Sequence, residues 1–272
     1  MPPTQPAGRS EFVAALYKGA LLGAAVLALI VPALRMARQP QAPPIAVAPR
    51  LADFHGERPT PQARLVANWV VGTGDNQRHA IVIVDKEDAR VYVFAPDGTL
   101  RDSAPALLGS AHGDDSAPGI GDRPLSQVQP QEKTTPAGRF VAEPGRNAGD
   151  EDIIWVDYDA AVSMHRVRPL VASERRLERL ATLTTEDNRI SFGCINLPVT
   201  FYEDVLSPAV RAHGAIVYVL PEVKTAQQVF GAYDVTDPAQ VAAARQALAR
   251  RQAQAVVRQE AGVHKVALQP AH

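Results

Sequence analysis

The sequence predicts a mainly β domain with a few helices. Two runs of β-branched and aromatic residues, Ala80–Asp85 and Arg90–Ala95, flank a charged turn, which is a hairpin signal. Pro96-Asp97-Gly98 closes the second run with residues suited to tight turns. Gly138–Glu143, Asp152–Tyr158, Ala161–Val167 and Ala215–Leu220 read as further strands. Helices are expected between and after them. Ser173 is the candidate N-cap for Glu174–Ala181. Pro198 to about Ala212 reads as a helix broken at Ser207-Pro208 and stopped by Gly214. Asp237-Pro238 opens a last helix to about Glu260, with a thin apolar stripe of Val241, Leu248 and Val256. No internal repeat is present.

The chain divides into four stretches. Residues 1–38 hold a short leading stub and an apolar segment, Phe12–Leu34, interrupted only by Tyr17 and Lys18. Its uninterrupted core, Gly19–Leu34, would span roughly 24 Å as a helix against a hydrocarbon layer of ~30 Å. Counted from Phe12, with Lys18 snorkelling, the run is long enough to cross. It reads as a membrane anchor or a cleaved signal peptide. The anchor is favoured because Val31-Pro32-Ala33 is a poor cleavage site. Residues 39–64, rich in Pro and Ala without periodicity, read as an extended tether. Residues 65–223 hold the expected strands and read as the folded domain, and 224–272 as a helical or disordered extension. A hydrophobic fraction of 46% suffices for one core. A net charge of −1 gives the whole chain no attraction for nucleic acid.

The single cysteine, Cys194, is either a small buried hydrophobe or a nucleophile, and its surroundings favour the nucleophile. It excludes an intramolecular disulfide and a multi-cysteine zinc site. It stands in Arg189-Ile190-Ser191-Phe192-Gly193-Cys194-Ile195-Asn196, with His165 upstream at the end of a strand-like run. Gly193 leaves room for close approach to the backbone. Pro198 suits a first helical turn, so the thiol is expected near a helix N-terminus, whose dipole favours thiolate. Only a few per cent of a free thiol is ionised at neutral pH, so a nucleophile needs an imidazole, and His165 is the candidate. The alternative is a buried cysteine in a sheet–helix corner.

From about Ala80 to Glu222 the chain resembles the L,D-transpeptidases, enzymes with a YkuD-type catalytic domain that cross-link peptidoglycan. Three pieces carry the resemblance. Thr135-Pro136-Ala137-Gly138-Arg139-Phe140 is similar to the family's Thr-Pro-x-Gly-x-aromatic strand opening. His165 matches the upstream base, and Ser191-Phe192-Gly193-Cys194-Ile195-Asn196 matches the Ser-His-Gly-Cys-hydrophobic-Arg/Asn signature. Three departures stand out. Phe192 replaces the motif histidine, Arg166 stands where glycine is usual, and 28 residues separate His165 from Cys194, more than the usual interval.

The resemblance implies a β-sandwich and acyl transfer on peptidoglycan stem peptides through a Cys194 thioester, with His165 as base. It needs no metal and no organic cofactor. Backbone N–H groups around Gly193 and Cys194 are the expected oxyanion donors. A local carbonyl or Ser163 would orient the His165 ring. Ser191 and Asn196 are expected to support the loop, and Phe192 either walls the site against water or marks a weakened one. Arg189 is the candidate for holding a substrate carboxylate. The implied setting is the periplasmic face of a bacterial inner membrane, in cell-wall biogenesis and cell shape. Alternatives are a hydrolase using the same thioester and a non-catalytic peptidoglycan-binding protein. His112-Gly113-Asp114-Asp115 reads as a solvated turn on a long loop, a candidate lid.

Overall fold

The computed structural model describes residues 48–267, with side chains through residue 257. The apolar segment Phe12–Leu34, and with it the anchor expectation, lies outside the described residues. Among the described residues no helix is long and apolar enough to cross a membrane.

Among the described residues ten strands form in chain order: β1 (Ala80–Asp85), β2 (Arg90–Phe94), β3 (Leu100–Pro105), β4 (Leu108–Gly109), β5 (Gly138–Arg146), β6 (Asp152–Asp157), β7 (Val162–Arg166), β8 (Arg189–Ser191), β9 (Ile195–Leu197) and β10 (Ala215–Val219). Eight of them make one sheet in the order β3-β2-β1-β10-β5-β6-β7-β9, and β4 pairs with β8. The β1–β10, β7–β9 and β4–β8 pairs are parallel, the others antiparallel. The mainly β expectation holds, and each expected strand lies within two residues of its predicted start.

β1 and β10 are buried on both faces, which explains their unbroken apolar runs. Alternation along them feeds two cores. Val82, Val84, Val217 and Val219 join Met164, Ile195 and Leu197 from the far end of the sheet. Residues from strands several places apart in one sheet thus share a core, so the sheet curls over itself in a sandwich-like manner. Ile81, Ile83 and Tyr218 face the other way, onto α1 (Pro61–Thr73). Each such fully buried aliphatic chain contributes about 1.5–3 kcal/mol.

The boundaries of the domain need correction. Within the stretch read as tether, Phe54 is buried and packs edge-on against Tyr92 and Phe94. Thr60 caps α1, its hydroxyl accepting from the Ala63 N–H at 3.1 Å, with Pro61 in the first turn. In the described part of that stretch, Pro59-Thr60-Pro61 is a helix start, not an extended linker. At the other end α5 (Ala226–Phe230), opened by a Thr225–Gln228 capping box, contributes Ala226 to the core, followed by Ala232 and Val235. The last helix, α6, runs Pro238–Ala267, with Leu248, Val256 and Val257 exposed.

Two helix expectations also change. Ser173 caps nothing: it sits in a 3₁₀ turn, and α2 (Arg176–Ala181) begins after Arg175 in a left-handed conformation. The helical stretch after Cys194 is not broken at Pro208. It runs as α3 (Val199–Phe201), a π-helical turn (Tyr202–Leu206) and α4 (Ser207–His213). The wider turn precedes Pro208, which falls in the first turn of α4, where a missing N–H is tolerated. Gly214, at φ +62°, ends the helix as expected.

Candidate active site

Parallel pairing of β7 with β9 builds the site. The register sets Met164 opposite Ile195 and His165 opposite Asn196. Met164 and Ile195 are both fully buried in the core. Alternation then turns Ser163, His165, Cys194 and Asn196 to the opposite face. Parallel neighbours need a long crossover, and the 28-residue interval from His165 to Cys194 supplies it, carrying α2 and β8 on the way.

Cys194 is half-buried. Its Sγ lies 3.7 Å from Ser163 Oγ and 3.6 Å from the Ala161 carbonyl oxygen. Burial acts to raise the thiol pKa, but hydrogen bonding and charge from the His165 imidazole, with help from Ser163, outweigh it and hold the thiol below its ordinary range. The His165 ring is oriented by Nδ1, 2.8 Å from the Arg166 carbonyl oxygen. A carbonyl only accepts, so this bond keeps the proton on Nδ1 and leaves Nε2 as the basic nitrogen. Of the two candidate orienting groups, the local carbonyl holds the ring and Ser163 attends the thiol.

The turn before Cys194 is fixed on two sides. Ser191 Oγ donates to the Cys194 carbonyl at 2.6 Å and accepts from the Gly193 N–H at 3.0 Å. Gly193 has φ +133°, and a Cβ there would fall 2.7 Å from the Thr134 carbonyl oxygen, so only glycine fits. Thr135 Oγ1 donates to the Gly193 carbonyl at 2.8 Å and accepts from the Gly109 N–H at 2.9 Å. The Thr-Pro-x-Gly segment is therefore a brace for the cysteine turn, a role its sequence did not announce.

Two expectations about the turn are corrected. Cys194 leads into β9, and the next helix starts only at Val199, so no helix N-terminus faces the thiol. The lowered thiol rests on His165 instead. The Gly193 N–H is already engaged by Ser191, so it is not a free oxyanion donor, which leaves the Cys194 N–H.

Around this centre, Asn196 is fully buried. Its Nδ2 donates to the Cys194 carbonyl at 3.3 Å, and its Oδ1 accepts from Arg176 Nη1 at 2.7 Å. Arg176 comes from α2, so the long interval reaches back into the site. Arg166 leaves it: its guanidinium binds Asp152 and Glu203 and lies 4.4 Å from the centre of the Tyr202 ring. Phe192 is 41% exposed, with Lys133 Nζ 4.0 Å from its ring centroid.

Arg189 is not free to hold substrate. It is largely buried, donates to the Lys86 carbonyl at 2.7 Å and pairs with Glu222. It belongs to a charge network that the sequence reading missed. The ammonium of Lys86, fully buried, reaches Asp114 at 3.1 Å, Glu222 at 3.3 Å and the carbonyls of Gly113 and Thr135 at 2.6 and 3.0 Å. Asp114 also accepts the N–H groups of Glu222, Val223 and Lys224. Burial opposes its charge, but these bonds and Lys86 prevail and bring it down to about 2. His112-Gly113-Asp114-Asp115 is thus no solvated turn: Asp114 pins the long loop to the chain leaving β10. Its only sequence signal was a lysine directly after an apolar strand. Among the described residues no group of three or more His, Cys, Asp or Glu side chains is gathered as a metal site.

No protein-family model matches the chain, and no curated protein matches it. Solved structures do. The helical cell shape determining protein Pgp2 from Campylobacter jejuni is 20% identical, over 54% of this chain and 49% of that one, with TM-score 0.35. An L,D-transpeptidase from Enterococcus faecium, in mutant form, is 17% identical over 52% and 50%, with TM-score 0.30. An L,D-transpeptidase from Mycobacterium smegmatis is 17% identical over 52% and 58%, with TM-score 0.28. The chain spans about half the length of the structures it matches.

Proposed function

We propose that the protein is a cysteine acyltransferase acting on peptidoglycan stem peptides, of the L,D-transpeptidase kind. The observation that carries the reading is the β7–β9 register, which turns His165 and Cys194 to one face, together with a thiol held below its ordinary range by that imidazole. The motif set Thr135-Pro136-Ala137-Gly138, His165 and Ser191-Phe192-Gly193-Cys194 supports the substrate class.

In this mechanism His165 Nε2 takes the Cys194 proton and the thiolate attacks an amide carbonyl of the donor stem. The Cys194 N–H is available to the developing oxyanion. The C–N bond breaks, the leaving amine takes the proton from His165, and a thioester remains. A second amine attacks that thioester, gives its proton to His165 and expels the thiolate. The arginine–carboxylate anchoring of Arg166 and the Ser191, Thr135 and Asn196 bonds hold the geometry through both halves. The apolar segment Phe12–Leu34 would tether the domain to the inner membrane on its periplasmic side.

The test is product analysis with tetrapeptide stems bearing a terminal D-alanine, using the parent, Cys194→Ala and His165→Ala. Release of D-alanine with a dimeric cross-linked product from the parent alone is the expected result. Release with a tripeptide only would make the protein a hydrolase on the same thioester. Equal product from parent and Cys194→Ala would remove the cysteine from the chemistry.

A further inference from the structure

Phe192 directly precedes Gly193-Cys194, yet its ring is not part of the core and stands 41% exposed. What covers it is Lys133, whose ammonium sits 4.0 Å from the ring centroid. Three lysines have described side chains. Lys86 is bonded by Asp114 and Glu222, and Lys224 by Asp115. Lys133 has no carboxylate or other oxygen partner among the described residues, only the ring.

Its position is fixed by the backbone beneath it. The Lys133 carbonyl accepts the Ala111 N–H at 3.1 Å. Thr134 lies against Gly193, and Thr135 bonds to both Gly193 and Gly109. Residues 133–135 therefore run along the cysteine turn, and the ammonium rests on the ring of Phe192, two residues before Cys194. A ring face stabilises a cation without consuming its N–H donors, so the charge remains open to an anion. The apolar ring also removes water from one side, which strengthens attraction to an incoming carboxylate. A histidine at 192 would weaken this seat and, once protonated, repel the lysine.

We infer that Lys133, seated on Phe192, is the carboxylate-recognising group of the thiol site and selects acyl donors that carry a free carboxylate beside the bond that is broken. The inference rests on the acyl-transfer reading. It also accounts for Phe192 as a working part of the site.

The test measures binding, so it does not depend on turnover. Calorimetry on the Cys194→Ala protein would compare a tetrapeptide stem carrying free carboxylates with the same peptide amidated at its carboxyl groups. Lys133→Ala, Lys133→Arg and Phe192→Ala are added in that background, with a thermal melt to check folding of each. Amidation is expected to weaken binding about tenfold, the size of a partly exposed charge-assisted hydrogen bond. Lys133→Ala should cost the free peptide a similar factor and the amidated peptide little, Lys133→Arg should retain most of the affinity, and Phe192→Ala should lie between. Equal losses for both peptides, indifference to amidation, or no binding of either peptide would overturn the inference. Failure of the parent to form a thioester while this charge selectivity persists would instead count against the acyl-transfer chemistry alone.

Discussion

Replacing Asp114 by Asn is expected to destabilise the protein by about 3–5 kcal/mol at neutral pH, the cost of breaking a buried ion pair from one side. The carboxylate does two jobs. Oδ1 accepts from Lys86 Nζ and the Glu222 N–H, and Oδ2 accepts from the Val223 and Lys224 N–H groups at 2.9 and 2.7 Å. An amide can keep Oδ1, but its NH₂ then faces two N–H donors, each left unsatisfied at about 1–3 kcal/mol. Linkage gives a partly independent figure. Asp114 falls from 3.8 to about 2 on folding, which corresponds to about 2 kcal/mol from ionisation alone. Because the folded value is depressed, that contribution is complete above about pH 4 and is lost as pH falls toward 2. Urea unfolding of parent and Asp114→Asn at a series of pH values between 7 and 2.5 reads both quantities. The gap between the two proteins should be several kcal/mol at pH 7 and narrow below pH 4. A gap under about 1 kcal/mol, or one that stays constant through the acid range, would refute the assignment of Asp114 as the buried latch.

Three further outcomes are expected. Thr135→Val keeps shape but removes both hydroxyl bonds to the cysteine turn; a stability loss of about 1–3 kcal/mol by urea unfolding should accompany slower acylation, and unchanged acylation would deny the brace. Alkylation of Cys194 by iodoacetamide should stay fast at lower pH than for free cysteine, because the thiol pKa is depressed. His165→Ala should move that profile upward and cut the pH 7 rate about tenfold, whereas an unmoved profile would take His165 off the thiol. Arg176→Ala should lower kcat about tenfold with little change in KM, since Arg176 holds Asn196 and Asn196 holds the Cys194 carbonyl; a pure KM effect would make Arg176 a substrate contact.

Most of the sheet was legible because its strands are β-branched runs bounded by turn residues. Ala80–Asp85 was read to the residue. The residues alone left Cys194 between a nucleophile and a buried hydrophobe, and a strand-end histidine is more often a core residue. The family resemblance singled out the pair, and the β7–β9 register sets the two on one face. The differences share a cause: local composition does not fix a residue's environment. The segment Arg58-Pro59-Thr60-Pro61 looked like a linker, but a proline in a first helical turn and a proline in a tether have the same letters. Asp114 looked solvated because its partners, Lys86 and the backbone from Glu222 to Lys224, are 28 residues before it and 108 to 110 after it. Cys194 does not meet a helix start because Ile195–Leu197 form a strand, held by pairing with β7 on one side and by the bridge to Leu107 on the other, contacts that lie far off in sequence.

The central claim is that Cys194 is a nucleophile activated by His165. The most direct measurement is intact mass of the protein after incubation with a carbapenem-type β-lactam and with tetrapeptide stems, beside Cys194→Ala and His165→Ala. A covalent adduct on the parent, absent from Cys194→Ala and much slower in His165→Ala, is the predicted result. A folded parent that gains no mass from either reagent would contradict it.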